Sequence, residues 1–310
     1  MDEVKIGVVG LGNVGSGTLS LLAENAEQIA LKLGFGLSVR IVSSLDADTR
    51  VLPEALGPVE RTLDWRRVAT HPEVDIVVEL VGGTTVAREI LETAIDHGKS
   101  VITANKELMA LCGPDIWDRA IRAGVNVAME ASVAGGIPIH AVLREGISGD
   151  RVVALLGILN GTSNFILSQM DREGWSYADA LRKAQELGYA EADPTFDVDG
   201  TDAAQKLVLL TQLGFGMRVP LEKFSRSGID RLDLIDLRHA GEFGYVIKLL
   251  ATAKLAGGKL EMHVQPTLVP EDSPLASIHG SFNAIRVVGD VVGETWYSGR
   301  GAGQSPTASA

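Results

Sequence analysis

Two residues of one predicted helix, Asp202 and Lys206, have the types and spacing for acid–base chemistry. They are four positions apart, so on a helix both side chains project from the same face. That face continues through Leu209 and Leu210, which predicts that the pair lies away from water. A lysine beside a carboxylate at a desolvated site can give and accept a proton. Lys206 is therefore a candidate proton donor.

Two other interpretations of this acidic segment compete with the catalytic one. An ordinary i,i+4 salt bridge implies no function and contributes only ~0.3–0.5 kcal/mol. A calcium loop of the EF-hand type beginning at Asp197 would need glycine at its sixth position, where the sequence has Asp202, so this site is excluded. The residues alone leave proton transfer and a salt bridge both open.

A glycine-rich loop near the start of the chain has the pattern of a dinucleotide site. The loop follows a short apolar strand and opens a predicted helix, and its glycines are Gly10, Gly12 and Gly15. In this position a GxGxxG motif indicates dinucleotide binding. These glycines permit a tight turn, close approach to a pyrophosphate, and close packing of helix on strand. N–H groups at the start of the helix would hold the phosphates. We expect NAD or NADP here.

The choice between NAD and NADP depends on the end of the second strand. A carboxylate about 20 residues after the glycine loop would bind the ribose of NAD. The nearest acid, Asp46, is 31 positions past Gly15, and no arginine occupies residues 43–45, where a partner of a 2′-phosphate would lie. Arg40 and Arg50 flank this stretch. The residues lean slightly towards NAD.

A further lysine, Lys106, lies in a segment, 103–107, just after another predicted strand. Because parallel sheets bind ligands at the carboxyl edge, this side chain could face both the cofactor and a substrate carboxylate. A solvated surface lysine is the competing interpretation, and the residue alone does not decide between them.

Two kinds of element surround these residues. In residues 1–130, apolar strands alternate with helices, which predicts an α/β domain with a Rossmann-type, doubly wound parallel sheet. In residues 131–284, strand-like stretches lie among amphipathic helices, including one over 241–256, which predicts an α+β domain. Gly289-Asp290 predicts a tight hairpin turn. Residues 285–310 are expected to form a C-terminal segment returning to the nucleotide domain.

Length and composition limit the classes of protein to consider. The chain has 310 residues, 45% of them hydrophobic and 22% charged, which suits two domains with sizeable cores. A formal net charge of −12 disfavours nucleic acid and anionic membranes as partners. No apolar run approaches the ~20 residues of a membrane span. The single cysteine, Cys112, cannot form an internal disulfide, which favours a reducing cytoplasm.

Seven motifs, in family order along nearly the whole chain, resemble those of homoserine dehydrogenases. They are GLGNVG (10–15), TANKE (103–107), EASVAGGIP (130–138), GILNGTSNFIL (157–167), GYAEADP (188–194), DVDGTDAAQK (197–206) and GRGAG (299–303). The stretch 188–206 is highly specific and favours the catalytic interpretation of Lys206. The resemblance implies NAD(P)-dependent interconversion of L-homoserine and L-aspartate 4-semialdehyde, in threonine and methionine biosynthesis.

The resemblance also implies roles for individual residues. Lys206 would be the acid/base at the reacting oxygen, and Lys106 would lie by the nicotinamide and the substrate. Glu191 and Asp202 would hold the substrate, whose amino group is the natural partner of a carboxylate. The other implied cofactor contacts are Gly10, Gly12, Asn13, Val14, Gly15, Gly82, Gly83, Thr84, Gly301 and Gly303.

A cation site and a homodimer are implied by the same resemblance. The family has a monovalent cation site, for Na⁺ or K⁺, which would fall at Glu130 and the backbone carbonyls of Val133, Gly135 and Ile137. One carboxylate with carbonyls of a glycine-rich loop suits a hard cation of low charge, with a structural role. The dimer would form through the second domain, so this domain would serve substrate binding and dimerisation.

The chain departs from the family pattern at its end. Relatives usually continue past residues 306–310 as a helix returning to the nucleotide domain, and many carry a C-terminal regulatory domain. We therefore expect a short or truncated form that millimolar threonine does not inhibit through such a domain. Two alternatives stay open: a related amino-acid semialdehyde reductase with another side-chain pocket, and a non-catalytic dinucleotide-sensing protein. Retention of four residues with implied roles in the site argues against the second: Lys106, Lys206, Asp202 and Glu191.

Overall fold

The computed structural model describes residues 3–310, which divide into two compact units. The first unit comprises residues 3–135 and Gly303–Ala310, and the second comprises Gly136–Ala302. The sequence predicted divisions after residues 130 and 284 instead. Met1 and Asp2, which the prediction included in the first domain, lie outside the described residues.

The first unit is built on a parallel sheet. Its described strands are β1 (Glu3–Val9), β2 (Gly36–Ser43), β3 (Glu60–Thr62), β4 (Ile76–Glu79), β5 (Ser100–Thr103) and β6 (Val127–Ala128). They pair in the order β3-β2-β1-β4-β5-β6, each pair parallel. This is the strand order of a doubly wound dinucleotide-binding sheet, so the predicted fold class is confirmed. The order reverses between β1 and β4, whose carboxyl ends therefore border the ligand crevice.

Helices connect the strands of this unit. They are α1 (Asn13–Glu24), α2 (Ala26–Leu33), α3 (Trp65–Ala69), α4 (Val86–Asp96) and α5 (Lys106–Ala123). Leu19 of α1 packs into one apolar cluster with Val8 of β1 and Val42 of β2, which fixes α1 against the sheet. α5 begins at Lys106, because the Asn105 side chain caps its N-terminus.

The second unit contains a mixed sheet. Its described strands are β7 (Val152–Ile158), β8 (Ser225–Arg226), β9 (Tyr245–Ala256), β10 (Lys259–Pro270), β11 (Phe282–Gly289) and β12 (Gly293–Arg300). They pair in the order β12-β11-β7-β9-β10-β8, antiparallel except for β8 beside β10. β11 and β12 form the predicted hairpin, with a three-residue loop, 290–292, in place of a tighter turn. Because both strands join this sheet, the segment up to Ala302 belongs to the second unit.

Helices of the second unit precede and follow these strands. They are α6 (Ile139–Ala141), α7 (Gly161–Glu173), α8 (Tyr177–Glu186), α9 (Thr195–Val198), α10 (Thr201–Phe215) and α11 (Leu234–Glu242). The last helix, α12 (Gln304–Ser309), belongs to the first unit. In residues 3–310, no helix has both the length and the apolar character to cross a membrane.

The helix predicted over 241–256 is wrong. Residues 245–256 form strand β9, which lies between β7 and β10. Lys248 to Ala251 are all buried, so the strand shows no alternation of apolar and polar positions. A buried apolar run of this kind cannot be told from a buried helix by its period.

Candidate active site

Two glycines of the loop between β1 and α1 are required by close packing. Gly10 has φ +99°, and a Cβ there would lie 2.6 Å from the carbonyl group of Leu80. Its N–H donates to the Ser43 carbonyl across 2.8 Å, which ties the loop to the end of β2. At Gly15 a Cβ would overlap the Gly10 carbonyl oxygen, so only glycine lets α1 pack this closely on the loop.

Gly12 differs from these two glycines because open space surrounds it. It is the residue before α1, and a Cβ there would have no heavy atom within 4 Å. The first N–H groups of α1, on Asn13, Val14 and Gly15, have no acceptor within the helix, and the positive end of the helix dipole lies beside them. Open space in front of such donors fits the phosphates of a dinucleotide.

A cleft of about 290 Å³ lies at the carboxyl edge of the same sheet. Val14, Gly82, Gly83 and Lys106, four residues predicted to bind the cofactor, all line it. Thr84 follows Gly83 in the turn before α4 and is half-buried. The first unit therefore gathers these predicted residues around one cleft.

A buried carboxylate shapes this cleft, and the sequence analysis did not single it out. Glu79 is the last residue of β4 and has no solvent exposure. Its Oε1 accepts hydrogen bonds from the N–H groups of Val81 at 2.7 Å and Gly82 at 3.1 Å. Its Oε2 accepts from Thr103 Oγ1 at 2.6 Å. The sequence did carry a signal for this carboxylate, because Glu79 is a charged residue inside the apolar run 76–81. A charged residue in a buried strand needs hydrogen-bonding partners.

Lys106 follows an asparagine that caps helix α5. It is the first residue of α5 and is half-buried. Asn105 Oδ1 accepts from the N–H of Leu108 at 3.1 Å, and Asn105 Nδ2 donates to the Gly83 carbonyl at 2.6 Å. The start of α5 is thereby joined to the Gly82–Gly83 turn. Lys106 lines the cleft next to this connection, and its contact with a cofactor stays a prediction.

The end of β2 carries groups of both charges. The strand ends at Ser43, and Leu45 beyond it is 97% exposed. Hydrogen bonds from Ser44 and Arg50 hold the pKa of Asp46 below its usual value, with an Arg50 Nε to Asp46 Oδ2 distance of 2.8 Å. The expected ribose-binding acid is thus already paired with a guanidinium. This geometry leaves NAD and NADP both possible.

The two C-terminal glycines predicted to contact the cofactor fall in different units. Gly303 has φ +122° and precedes α12, whose Gln304 Nε2 donates to the Asn13 carbonyl at 2.9 Å. A Cβ at Gly17 of α1 would lie 2.9 Å from Gln304 Cγ, so α12 packs directly on the helix of the glycine loop. Gly301 lies in the second unit, where a Cβ would overlap the Asn283 amide. Their contact with a cofactor stays a prediction.

In the second unit, Asp202 and Lys206 form a buried ion pair on α10. Lys206 Nζ donates to Asp202 Oδ2 at 2.7 Å, and the two side chains are only 10% and 9% exposed. Lys206 Nζ also donates to the Leu159 carbonyl at 2.8 Å. The pair therefore differs from a solvated i,i+4 salt bridge, because its geometry is fixed from a second direction.

Two asparagines that the sequence analysis missed complete this cluster. Asn160 Nδ2 donates to Asp202 Oδ2 at 2.8 Å and to Asp197 Oδ1 at 2.7 Å, while its Oδ1 caps α7 at the Ser163 N–H. Asn283 Nδ2 donates to the Leu159 carbonyl at 3.0 Å. Asn160-Gly161 after an apolar strand was a readable helix-start signal for α7. Asn283 is 124 positions from Leu159 in the sequence, and no local sequence pattern predicts a contact between residues so far apart.

Glu191, the other predicted substrate ligand, is not part of the cluster. It lies exposed in the loop between α8 and α9, where its backbone carbonyl accepts from Gln185 Nε2 at 3.1 Å. Within the described chain, its carboxylate forms no hydrogen bond or ion pair. Its role in substrate binding stays a prediction.

The predicted cation loop has an unusual backbone. Glu130 begins a short 3₁₀ turn that ends at Ser132, and Val133 is fully buried. Ala134 and Gly135 follow with φ +56° and +38°, two consecutive left-handed residues. Residues 3–310 contain no group of three or more His, Cys, Asp or Glu side chains able to hold a metal ion. A site made of one carboxylate and the carbonyls of Val133, Gly135 and Ile137 is of another type and stays a prediction.

Comparisons with known proteins agree over the whole chain. Residues 10–130 match the family model "Homoserine dehydrogenase, NAD binding domain", and residues 138–310 match "Homoserine dehydrogenase". Homoserine dehydrogenase of Pseudomonas aeruginosa is 47% identical over all of this chain and 70% of its own length.

Solved structures agree as well. A homoserine dehydrogenase from Thiobacillus denitrificans superposes with a TM-score of 0.94 at 48% identity, over all of this chain and 71% of its own. A hyperthermophilic archaeal homoserine dehydrogenase in complex with NADPH has a TM-score of 0.81 at 26% identity, over 99% and 94% of the two chains. With its dinucleotide sheet, its glycine loop and the matched domains, this chain belongs to the homoserine dehydrogenase family.

Proposed function

We propose that this chain interconverts L-homoserine and L-aspartate 4-semialdehyde with NAD or NADP, and that Lys206 is the acid/base. The observation that carries the proposal is the buried Lys206 ammonium, held by Asp202 and the Leu159 carbonyl. A lysine shielded from water and held at two points suits proton transfer at one defined atom.

The first unit would bind and orient the cofactor. The N–H groups at the start of α1 would hold the pyrophosphate in front of Gly12, and the cleft beside Gly82, Gly83 and Lys106 would receive the nicotinamide. When bound, the cofactor transfers hydride to or from the substrate carbon. Lys106 would pair with the substrate carboxylate.

Lys206 would move the proton at the substrate oxygen. In semialdehyde reduction it would donate to the developing alkoxide, and in homoserine oxidation it would accept the hydroxyl proton. An ammonium has three N–H groups, and two are directed at Asp202 and Leu159, which leaves one direction for the substrate. Charge stabilised only in the transition state raises turnover rather than ground-state binding.

Other site assignments belong to the same proposal. Glu191 and Asp202 would bind the substrate ammonium, and Glu130 with neighbouring carbonyls would hold a structural monovalent cation. A homodimer through the second unit, working in the cytoplasm, is the proposed assembly, which sedimentation of the purified protein would test.

The decisive experiment is an absorbance assay at the reduced-nicotinamide band, with L-homoserine and either NAD or NADP. We expect cofactor reduction that depends on L-homoserine, and the reverse reaction with L-aspartate 4-semialdehyde. A panel of other semialdehydes separates this activity from that of a related reductase. A chain that reduces neither cofactor with L-homoserine would contradict the proposal.

A further inference from the structure

The Leu159 carbonyl accepts two hydrogen bonds from groups of different kinds. Lys206 Nζ donates to it at 2.8 Å, and Asn283 Nδ2 donates at 3.0 Å. Leu159 is 1% exposed and Asn283 has no exposure, so water does not compete for either bond. A carbonyl oxygen has two lone pairs, and both are therefore engaged.

Asn283 reaches this carbonyl from a fixed position in the sheet. β11 pairs with β7 in antiparallel register, Ala284 opposite Ile158. The next residues of the two strands, Asn283 and Leu159, therefore face each other. Here the side-chain amide of Asn283 donates the hydrogen bond that a backbone N–H would donate in a regular ladder. Leu159 is the residue between β7 and the cap of α7, where no regular strand pairing holds the peptide. The amide thus fixes the peptide at the point where the strand ends.

Stability alone does not account for an amide at this position. Asn283 Oδ1 is buried and has no hydrogen-bond partner among the described residues. A buried acceptor without a partner is unfavourable, and a leucine of similar size would avoid it. A Cβ at Gly301 would overlap Asn283 Cγ, so the amide packs directly against this glycine. The contact that explains the amide is its bond to Leu159.

We propose that Asn283 is a positioning residue for Lys206, acting through the Leu159 carbonyl. This inference rests on the proposed acid/base role of Lys206. Both the ammonium and the neutral amine of Lys206 can donate to Leu159 and Asp202. The positions of these two acceptors therefore set the direction of the third N–H of the ammonium, and of the lone pair that replaces it in the amine. By fixing the carbonyl, Asn283 keeps that direction the same before and after proton transfer.

The test compares Asn283→Leu and Asn283→Asp with the parent chain, both near-isosteric and both without the N–H donor. For each folded variant we expect kcat for L-homoserine oxidation to fall about 10- to 100-fold, the scale of a small misplacement of a catalytic group. KM for the cofactor should stay within about threefold. With homoserine deuterated at the carbinol carbon, the isotope effect on kcat should rise, because the chemical step becomes slower than product release.

Two further variants make the result decisive. Thr211→Val removes a buried hydroxyl elsewhere on α10, where it contacts Met262 Sδ at 3.8 Å, and should keep parental kcat. If Lys206→Ala is inactive while both Asn283 variants keep kcat and isotope effect within about threefold, the inference is overturned and the proposed function stands. If neither Asn283 variant folds, the residue serves the fold and the inference is equally overturned. Full activity of Lys206→Ala would remove the proposed acid/base and the role of Asn283 with it.

Discussion

Thr103 Oγ1 donates a hydrogen bond to Glu79 Oε2 across 2.6 Å, and the two residues are register partners at the ends of β5 and β4. The same hydroxyl accepts from the N–H of Asn105 at 3.0 Å. Glu79 is therefore linked both to the Gly82 turn and to the start of α5. These hydrogen bonds join the two walls of the cleft.

Glu79→Ala should weaken cofactor binding and stability together. It leaves the Val81 and Gly82 N–H groups without their acceptor, which should lower the free energy of unfolding by about 1–3 kcal/mol. We expect the cofactor Kd to rise about tenfold, equivalent to about 1.4 kcal/mol. Fluorescence titration with the reduced cofactor and urea denaturation measure the two effects. Glu79→Gln keeps an acceptor at this place and is the control; equal losses in both variants would contradict the role of Oε1.

Lys206→Ala should lower turnover ~10²–10⁴-fold, the usual contribution of general acid–base catalysis. Cofactor binding should survive, because the glycine loop lies in the other unit. Removing one member of a buried ion pair costs ~3–5 kcal/mol of stability, so rates must be expressed per folded molecule. Asp202→Asn should raise KM for homoserine and lower kcat. Turnover of Lys206→Ala within threefold of the parent, at saturating substrate, would contradict the assignment.

Leu45→Arg should shift cofactor preference towards NADP. Leu45 is 97% exposed just beyond β2, where a guanidinium could pair with the 2′-phosphate through two hydrogen bonds. We expect the ratio of kcat/KM for NADP over NAD to rise about tenfold. Leu31→Arg makes the same change at another exposed site of the first unit, 74% exposed on α2, and should leave the ratio alone. An unchanged ratio in Leu45→Arg would place the phosphate site elsewhere.

We expect stability to depend on pH through the buried Lys248, with a sign that follows from the direction of its pKa shift. Burial lowers its pKa to about 8; Asp171 nearby opposes the shift, and Arg172 adds to it. Between pH 8 and 10.5 the unfolded chain keeps the proton that the folded chain has released, so raising the pH through this window stabilises the fold. Below pH 8 the destabilisation is complete.

Lys248→Met should abolish this dependence. The difference in unfolding free energy, parent minus variant, should grow by up to ~1.4 kcal/mol per pH unit from pH 8 to 10.5. Lys254→Met, at an exposed site of the same strand, is the matched control and should show no such slope. Urea denaturation at pH 7.5 and pH 10 measures the difference. Parallel curves for parent and Lys248→Met would show that burial does not perturb this lysine.

The parallel sheet could be predicted from the sequence because its signals are local. Apart from β3 (Glu60–Thr62), which is polar, the described strands of the first unit are short and mainly apolar runs. Gly34 and Gly98 mark helix ends with φ +81° and +72°. The error at β9 arose where burial removed the alternation. A stronger signal lay beside it: Gly257-Gly258, both with positive φ, join β9 to β10 as a two-residue hairpin turn.

The candidate site was predictable only in part. Asp202 and Lys206 are one helical turn apart, so their spacing alone brings them together. Asn283 and Leu159 meet because β11 pairs with β7, and a register between distant strands cannot be read from either segment. Glu79 and Thr103 are joined in the same way, by the pairing of β4 and β5. Residues whose partners lie on a distant strand can be identified only once the strand pairing is known.

The three loop glycines carry different information about other chains with this fold. Gly10 and Gly15 are demanded by the Leu80 and Gly10 backbones, whether or not a nucleotide is bound. A descendant that lost its cofactor would still have to keep both, while alanine at Gly12 would meet no obstacle. Gly12 is thus the informative position for telling an active dehydrogenase from a relative that has lost its activity. Gly10 and Gly15 indicate only that the first βα turn is intact.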